Sequence, residues 1–315
     1  MHRLFASIAV AICLCVGTLA AESTESTLVA ATSVSGSPLP LGLTIRKHVN
    51  EVRVTFHAID KQKHPVLNMS PDSVAVIDNG MPVETLSDFE SASDLPLNLA
   101  LMVDVSDSVV REFAKARETS GTLIRTLVHA GDDRVTLVAF RDKICLNQPM
   151  TSEPQDLLAM LRQIRTGGLT ALYDAVLSTS DRLAQSEASA SRRAIILISD
   201  GDDTVSHYGL SDAIAAAIRD DVAIYAIRLH GRHDSLFGEK ELQAMAEATG
   251  GRVYNLRGRE DLSRALEEVE RDLRTQYFVT YRPSPGSGFH TVKLTSTIKD
   301  VSIRARKGYF ASAER

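Results

Sequence analysis

The feature that most constrains the fold is a series of four strongly apolar segments, separated from one another by residues with a helical pattern. The segments are LNLALMVDV, RVTLVAF, RAIILIS and VAIYAIRL. They are rich in valine, isoleucine and leucine and alternate little with polar residues, as expected of strands buried on both faces. Strands that alternate with helices predict a doubly wound, mainly parallel α/β sheet, here over residues 96–275.

The helices between these strands are predicted from apolar residues that recur at helical spacing. Val110, Phe113 and Leu127 belong to one such face, in a helix that ends before Gly131. Further helices are expected at about 155–165, 171–185, 210–219, 239–249 and 260–274. We therefore expect helices on both faces of the sheet.

Two shorter β-rich segments flank the α/β region, at residues 41–95 and 276–315. The first contains LTIRKHV, VRVTFHAI and VAVID, and the second contains QYFVTYRP, FHTVKLTSTI and VSIRARKGYF. Each segment alone is near the lower size limit for a stable core. A single small β-sandwich built from both ends is therefore favoured over two separate β domains.

The first residues have the pattern of a secretory signal peptide. Arg3 precedes an apolar stretch that is shorter than a membrane span, and small residues follow it, which predicts a signal peptide over residues 1–21. Residues 22–40, rich in serine, threonine and alanine, predict a flexible spacer. We expect an exported protein, in the periplasm, the cell envelope or secreted, with no membrane span after cleavage; an uncleaved anchor is the alternative.

Charge and cysteine content narrow the classes of function. The formal net charge is −5, from 40 acidic and 35 basic residues, and no long basic run is present, which argues against nucleic-acid partners. After signal cleavage only Cys145 remains, so an internal disulfide is excluded. Its apolar neighbours favour a buried, inert thiol over a reactive one.

Three short polar motifs occur in the α/β region. DVSDS (104–108) follows the first strand, GGLT (167–170) precedes a helix, and SDG (199–201) follows the strand AIILI. Loops at the carboxyl ends of neighbouring strands in such a sheet meet in one crevice. Any one motif alone would be typical of a turn or helix cap, but three in this arrangement predict a common site.

The side chains of this predicted site are all oxygen donors. They are Asp104, Ser106, Ser108, Thr170 and Asp200. A set without histidine or cysteine suits a hard divalent cation, with Mg²⁺ favoured and Mn²⁺ or Ca²⁺ as alternatives. Protein groups and water leave one position on such an ion for an incoming carboxylate.

These motifs resemble the metal-ion-dependent adhesion site of von Willebrand factor type A domains, both in order and in position relative to the strands. The resemblance implies that Ser106, Ser108 and Thr170 contact the metal, and that Asp104 and Asp200 act directly or through water. It also implies that an acidic side chain of a protein or peptide partner completes the coordination. The family usually has glycine between the two serines, where this chain has Asp107.

The flanking segments add to the resemblance. DNG (78–80) and RKGYF (306–310) are similar to motifs of exported bacterial proteins related to von Willebrand factor type A domains. A non-enzymatic binding module is therefore the leading hypothesis. A metal-dependent phosphoryl-transfer or hydrolytic enzyme is an alternative, although no nucleophile, positioned base or phosphate loop accompanies the site. A structural envelope protein is the other alternative.

Overall fold

The computed structural model describes residues 51–93, 95–128, 133–185, 191–230, 236–256 and 259–311. All of them belong to one compact unit, His48–Arg315. The predicted signal peptide, the predicted spacer and the segment LTIRKHV lie outside the described residues. None of the helices described is long and apolar enough to cross a membrane.

The elements follow the predicted order of β, α/β and β segments. The first part contains the strands β1 (Val52–Ile59), β2 (Val74–Asp78), β3 (Met81–Pro82) and β4 (Leu86–Ser91). The middle contains β5 (Leu97–Asp104), α1 (Phe113–Leu127), β6 (Arg134–Phe140), β7 (Ile144–Asn147), α2 (Pro154–Leu161), α3 (Leu172–Ala184), β8 (Arg192–Ser199), α4 (Leu210–Arg219), β9 (Val222–Arg228), α5 (Leu236–Thr249), β10 (Val253–Asn255) and α6 (Arg259–Arg274). The last part contains β11 (Tyr277–Tyr281), β12 (Gly288–Ser296), β13 (Ser302–Ala305) and β14 (Gly308–Ala311).

The middle part is a six-stranded sheet with the order β10-β9-β8-β5-β6-β7, in which only β7 is antiparallel. Both faces of the sheet are covered. Alternate residues of β5 enter opposite cores: Leu99 and Leu101 pack with α1, α2 and α6, whereas Ala100 and Met102 pack with α3, α4 and α5. The predicted doubly wound, mainly parallel sheet is therefore confirmed.

The flanking strands form two antiparallel sheets, with the orders β13-β1-β11-β4 and β14-β12-β2-β3. Each sheet combines strands from both ends of the chain; for example, Val54 of β1 lies opposite Val279 of β11. A shared core joins them, and its large buried side chains include Phe56, Tyr277 and Leu294. The prediction of one small sandwich built from both flanking segments is confirmed.

The β-rich sequence VSIRARKGYF forms two strands. It divides into β13, which pairs with β1, and β14, which pairs with β12 in the other sheet. Between them, the N–H of Lys307 donates to the carbonyl oxygen of Ala248, outside both sheets. The chain crosses from one sheet to the other here, so a continuous strand is excluded.

Three local predictions were wrong. The first helix begins at Phe113, so Val110 lies before it and is exposed rather than packed on its apolar face. Helix α2 ends at Leu161, short of residue 165. Cys145 is exposed, because it points outward from the edge strand β7. Burial of part of the side chain still raises the pKa of its thiol.

Candidate functional site

The candidate site lies where the order of the sheet changes direction. From β5 the chain continues to the neighbouring strand β6, whereas from β8 it continues in the opposite direction to β9. The loops after β5 and β8 therefore leave from adjacent strands and diverge, which opens a crevice at their carboxyl ends. The motifs DVSDS and SDG form these two loops.

Asp104, the last residue of β5, is completely buried and is held by hydroxyl groups. The Ser106 hydroxyl donates to Asp104 Oδ1 over 2.6 Å, and the Ser106 N–H donates to the same oxygen over 2.9 Å. From β8, the Ser199 hydroxyl donates to Asp104 Oδ2 over 2.7 Å. The carboxylate therefore ties the two neighbouring strand ends together.

Ser108 and Asp200 lie on the more open side of this cluster. The hydroxyl oxygens of Ser106 and Ser108 are 3.0 Å apart, and the Ser108 side chain also hydrogen-bonds to the Asp200 carboxylate. One oxygen of that carboxylate, Oδ2, is buried and has no hydrogen-bond partner in the described part of the chain. The structure thus brings four of the five predicted residues into one hydrogen-bonded group.

Thr170 is buried in the neighbouring loop, which is docked against DVSDS through the backbone. The N–H of Gly167 donates to the carbonyl of Val105, and the N–H of Asp107 donates to the carbonyl of Gly168. The hydrogen bonds of Thr170 itself run to Thr204 and Val205. Its loop therefore reaches the site, but its backbone is held by the loop after β8.

Asp107, which departs from the glycine usual in the resembling family, begins a short 3₁₀ helix, Asp107–Val109. It is exposed and is not among the residues with positive φ, so the backbone does not require glycine at this position. Its Oδ1 atom lies 3.8 Å from a Cβ atom built on Gly167, in the neighbouring loop.

Burial determines the electrostatics of the two acidic groups. Burial, followed by the nearby Asp200, raises the pKa of Asp104 to about 6, against hydrogen bonds from Ser106 and Ser199 that lower it. Burial also raises the pKa of Asp200 above its ordinary value, although its hydrogen bond from Ser108 opposes the shift. Two buried carboxylates surrounded by hydroxyls, one with an unsatisfied oxygen, are the environment that a hard divalent cation would stabilise.

The donor set is not a cluster of acids or histidines. Among the described residues, no group of three or more His, Cys, Asp or Glu side chains is placed to hold a metal ion. The candidate site instead combines two carboxylates, whose charges balance a divalent cation, with three neutral hydroxyls, which are weak donors and leave a bound cation strongly electrophilic. Such an ion would attract a further anionic ligand.

Two residues near the site were not identified from the sequence. Ser199 was part of the recognised SDG motif, but its bond to Asp104 depends on the pairing of β8 with β5. Asp203 accepts hydrogen bonds from the N–H groups of Leu172 and Tyr173 and so caps α3.

The family model described as the von Willebrand factor type A domain matches residues 99–202. The chain contains a von Willebrand factor type A domain. All five predicted metal ligands lie inside the matched residues of this domain. Domains of this family generally bind other proteins. No curated protein sequence matches the chain.

Several solved structures are similar to this chain. The conserved hypothetical protein BatB from Bacteroides thetaiotaomicron is 17% identical, with 57% of this chain and 100% of that chain covered and a TM-score of 0.46. The PilB minor pilin from Streptococcus sanguinis is 14% identical, with coverage of 62% and 63% and a TM-score of 0.45. Proximal thread matrix protein 1 from the mussel byssus, with a zinc-occupied MIDAS motif, is 16% identical, with coverage of 63% and 50% and a TM-score of 0.47.

Proposed function

We propose that this chain is an exported protein-binding module that holds a divalent cation, preferably Mg²⁺, and uses it to bind an acidic side chain of a protein or peptide partner. The cation would be held by the five residues predicted from the sequence, Asp104, Ser106, Ser108, Thr170 and Asp200. In this proposal the cation supplies the positive charge that the partner's carboxylate recognises. Export is part of the proposal because residues 1–21 have the pattern of a signal peptide.

The unsatisfied Oδ2 of Asp200 is the observation that carries this proposal. A buried carboxylate oxygen without a partner is costly, and here it lies beside the hydroxyl of Ser108 and close to a second buried carboxylate. Coordination of a cation would remove this cost. Recognition is favoured over catalysis because the site holds hydroxyls and carboxylates without a neighbouring histidine, lysine or cysteine in the hydrogen bonds described.

Titration of the purified protein with Mn²⁺ or Mg²⁺, followed by calorimetry and by Mn²⁺ paramagnetic resonance, tests the metal site. We expect Asp200→Asn and Ser106→Ala to weaken metal binding by at least about tenfold, because each removes a donor without changing the size of the side chain greatly. Asp88→Asn, at an exposed position of β4, and Thr122→Ala, at a half-buried position of α1, are matched controls outside the site that should bind the metal normally.

Two outcomes would contradict the proposal. If the folded wild-type protein binds neither cation at millimolar concentration, the cation-dependent mechanism is wrong. If a partner captured from cell-envelope extract stays bound in the presence of EDTA, the metal site is not the contact, and an architectural role is favoured instead.

A further inference from the structure

The exposed apolar side chains of the α/β part are concentrated on one edge. The described residues of the whole chain contain ten large apolar side chains that are strongly exposed, and five of them belong to the sandwich segments. The other five are Val110 (46% exposed), Leu169 (56%), Tyr208 (54%), Leu236 (73%) and Phe237 (66%). All five precede or begin the helices that start at the carboxyl edge of the sheet, which is the edge of the candidate metal site.

Chain position and the backbone contacts of neighbouring residues place these five residues beside the loops of the site, and we call them the apolar ring. Val110 follows the short helix that contains Ser108, and Leu169 lies next to Thr170. The N–H of Tyr208 donates to Asp174, in the first turn of α3.

The fourth side of the apolar ring is formed by the start of α5. A Cβ atom built on Gly238 would lie 2.5 Å from the carbonyl oxygen of Asp200, so the backbones of these residues touch. Leu236 and Phe237 immediately precede Gly238 and are therefore held beside the Asp200 loop.

Apolar side chains that surround a polar, charged centre have the composition of a protein-binding site. Exposed aromatic and aliphatic groups at an interface exclude water from the contact at its centre, which strengthens a central ionic bond. Elsewhere in the described α/β part, large apolar side chains are buried or only partly exposed. The exposure on this edge is therefore selective, and it adjoins the proposed position of a carboxylate ligand.

The charges on the same edge restrict the partner further. Asp107 is exposed, and Asp142 lies beside Gly168, where it pairs with Arg141 over 3.0 Å. Asp202 follows the Asp200 loop and is half-buried. Asp107 and Asp202 would repel additional acidic groups, whereas Arg141 balances the charge of Asp142, so a polyacidic partner does not fit this edge.

We propose that the partner presents a single acidic residue between large apolar residues, with the acid at the cation site and its neighbours packed on the apolar ring. This inference rests on the proposed function, because the acidic residue is placed by the cation. It specifies the partner by chemistry: one carboxylate, apolar flanks and no further acids nearby.

Short fluorescent peptides test this inference by fluorescence polarisation in the presence of Mn²⁺. One peptide has a central aspartate flanked by leucine and phenylalanine, a second has serine flanks, a third has glutamate flanks, and a fourth has apolar flanks around asparagine. We expect the first to bind about tenfold more tightly than the second, which corresponds to partial burial of two apolar side chains. The third and fourth should bind more weakly than the first.

Protein variants assign the effect to the apolar ring. The double variant Leu169→Ser/Phe237→Ser should remove the preference for apolar flanks while Mn²⁺ binding, followed by paramagnetic resonance, stays unchanged. Phe289→Ser/Phe310→Ser is the matched control, because these two exposed phenylalanines lie together on the sandwich with ring centroids 5.3 Å apart. The control should keep the preference.

The results separate this inference from the proposed function. Equal binding of the apolar-flanked and serine-flanked aspartate peptides, with binding still lost in EDTA, would overturn the apolar ring and leave the cation site intact. Equal binding of the apolar-flanked aspartate and asparagine peptides would show that the carboxylate does not contribute to binding, which overturns the inference. Normal Mn²⁺ binding with no bound peptide would overturn carboxylate docking itself.

Discussion

Asp107 is the residue at which this chain differs most clearly from the usual sequence of the adhesion site. Because its side chain is exposed and its backbone does not need positive φ, the substitution changes charge more than shape. A negative charge at this position should attract the cation and repel the partner's carboxylate. The two effects have opposite signs and can be measured separately.

We therefore expect Asp107→Asn to weaken Mn²⁺ binding by about two- to fivefold and to strengthen binding of an aspartate peptide to the metal-loaded protein by a similar factor. Calorimetry gives the first value and fluorescence polarisation the second, both at low salt. Asp212→Asn, at an exposed position of α4, is the control. A change of the same sign in both affinities would contradict this electrostatic interpretation.

At the scale of single residues, the sequence predicted which side chains lie together at the end of the sheet, but not the hydrogen bonds between them. Asp104, Ser106, Ser108 and Asp200 could be named because strand ends and spacing place them on one edge. The hydrogen bond from Ser199 to Asp104 depends on the register of β8 against β5, which sequence spacing does not determine. Thr170 was placed in the correct loop, although its backbone partners come from the loop after β8.

At the scale of elements, the loop after β8 depends on one close backbone contact. Gly201 has φ of +86°, and a Cβ atom built on it would lie 2.3 Å from the carbonyl oxygen of Gly238 at the start of α5. Gly80, in the turn between β2 and β3, has a similar φ of +82°, but nothing lies within 4 Å of its built Cβ. Both glycines therefore have a positive φ that would strain any other residue, but only Gly201 lacks room for a Cβ atom.

Substitution of each glycine by alanine, one at a time, separates the cost of positive φ from the cost of the close contact. Gly80→Ala should lower the free energy of unfolding by about 1 kcal/mol, the cost of positive φ. Gly201→Ala should lower it by at least about 2 kcal/mol more and weaken metal binding, because α5 must move away from the Asp200 loop. Urea unfolding gives both values, and equal losses would show that the contact with Gly238 is not important.

Long elements were predicted better than short ones. Strands β1, β2 and β8 and helices α3 and α4 lie close to their predicted positions because their apolar patterns are strong. Strands β3, β7 and β10 have two to four residues and no distinct pattern, and their pairing partners define them. The break between β13 and β14 results from the packing of two sheets, which a continuous β pattern does not reveal.

At the scale of the whole molecule, a buried polar group lies where the sandwich meets the α/β part. The ring nitrogen Nε2 of His57, on β1, lies 3.1 Å from the hydroxyl of Tyr225 on β9, and Gln276 completes the group. Burial, followed by the charge of Arg304, lowers the pKa of His57 to about 3. The ring is therefore neutral in the folded protein at neutral pH.

This histidine should make the molecule sensitive to acid. Below about pH 6.5 the unfolded chain binds a proton on His57 while the folded chain does not, so stability is lost as the pH falls from about 6.5 toward 3. The loss in the free energy of unfolding that His57 causes is about 1 kcal/mol for each pH unit in this range. We expect His57→Gln to reduce the slope of unfolding free energy against pH in this range, measured by urea unfolding.

His64→Gln provides the matched control, because it is the same substitution at a histidine whose side chain is 69% exposed. Equal slopes for the wild type and His57→Gln would contradict the assignment. The sequence predicted the sandwich that contains His57. The contact between His57 and Tyr225 could not be predicted, because it depends on how the sandwich packs against the α/β part.

The sandwich has a consequence for how the protein is made. Strand β1 pairs with β11 and β2 pairs with β12, so each sheet needs residues from both sides of the whole α/β part. On the ribosome, β1 to β4 emerge early. Strand β2 can pair with β3, but β1 and β4 have no partners until the last segment has been translated, whereas the α/β part has all its strands by then. The α/β part is therefore expected to fold first, and the nascent chain carries unpaired strand edges until synthesis is nearly complete.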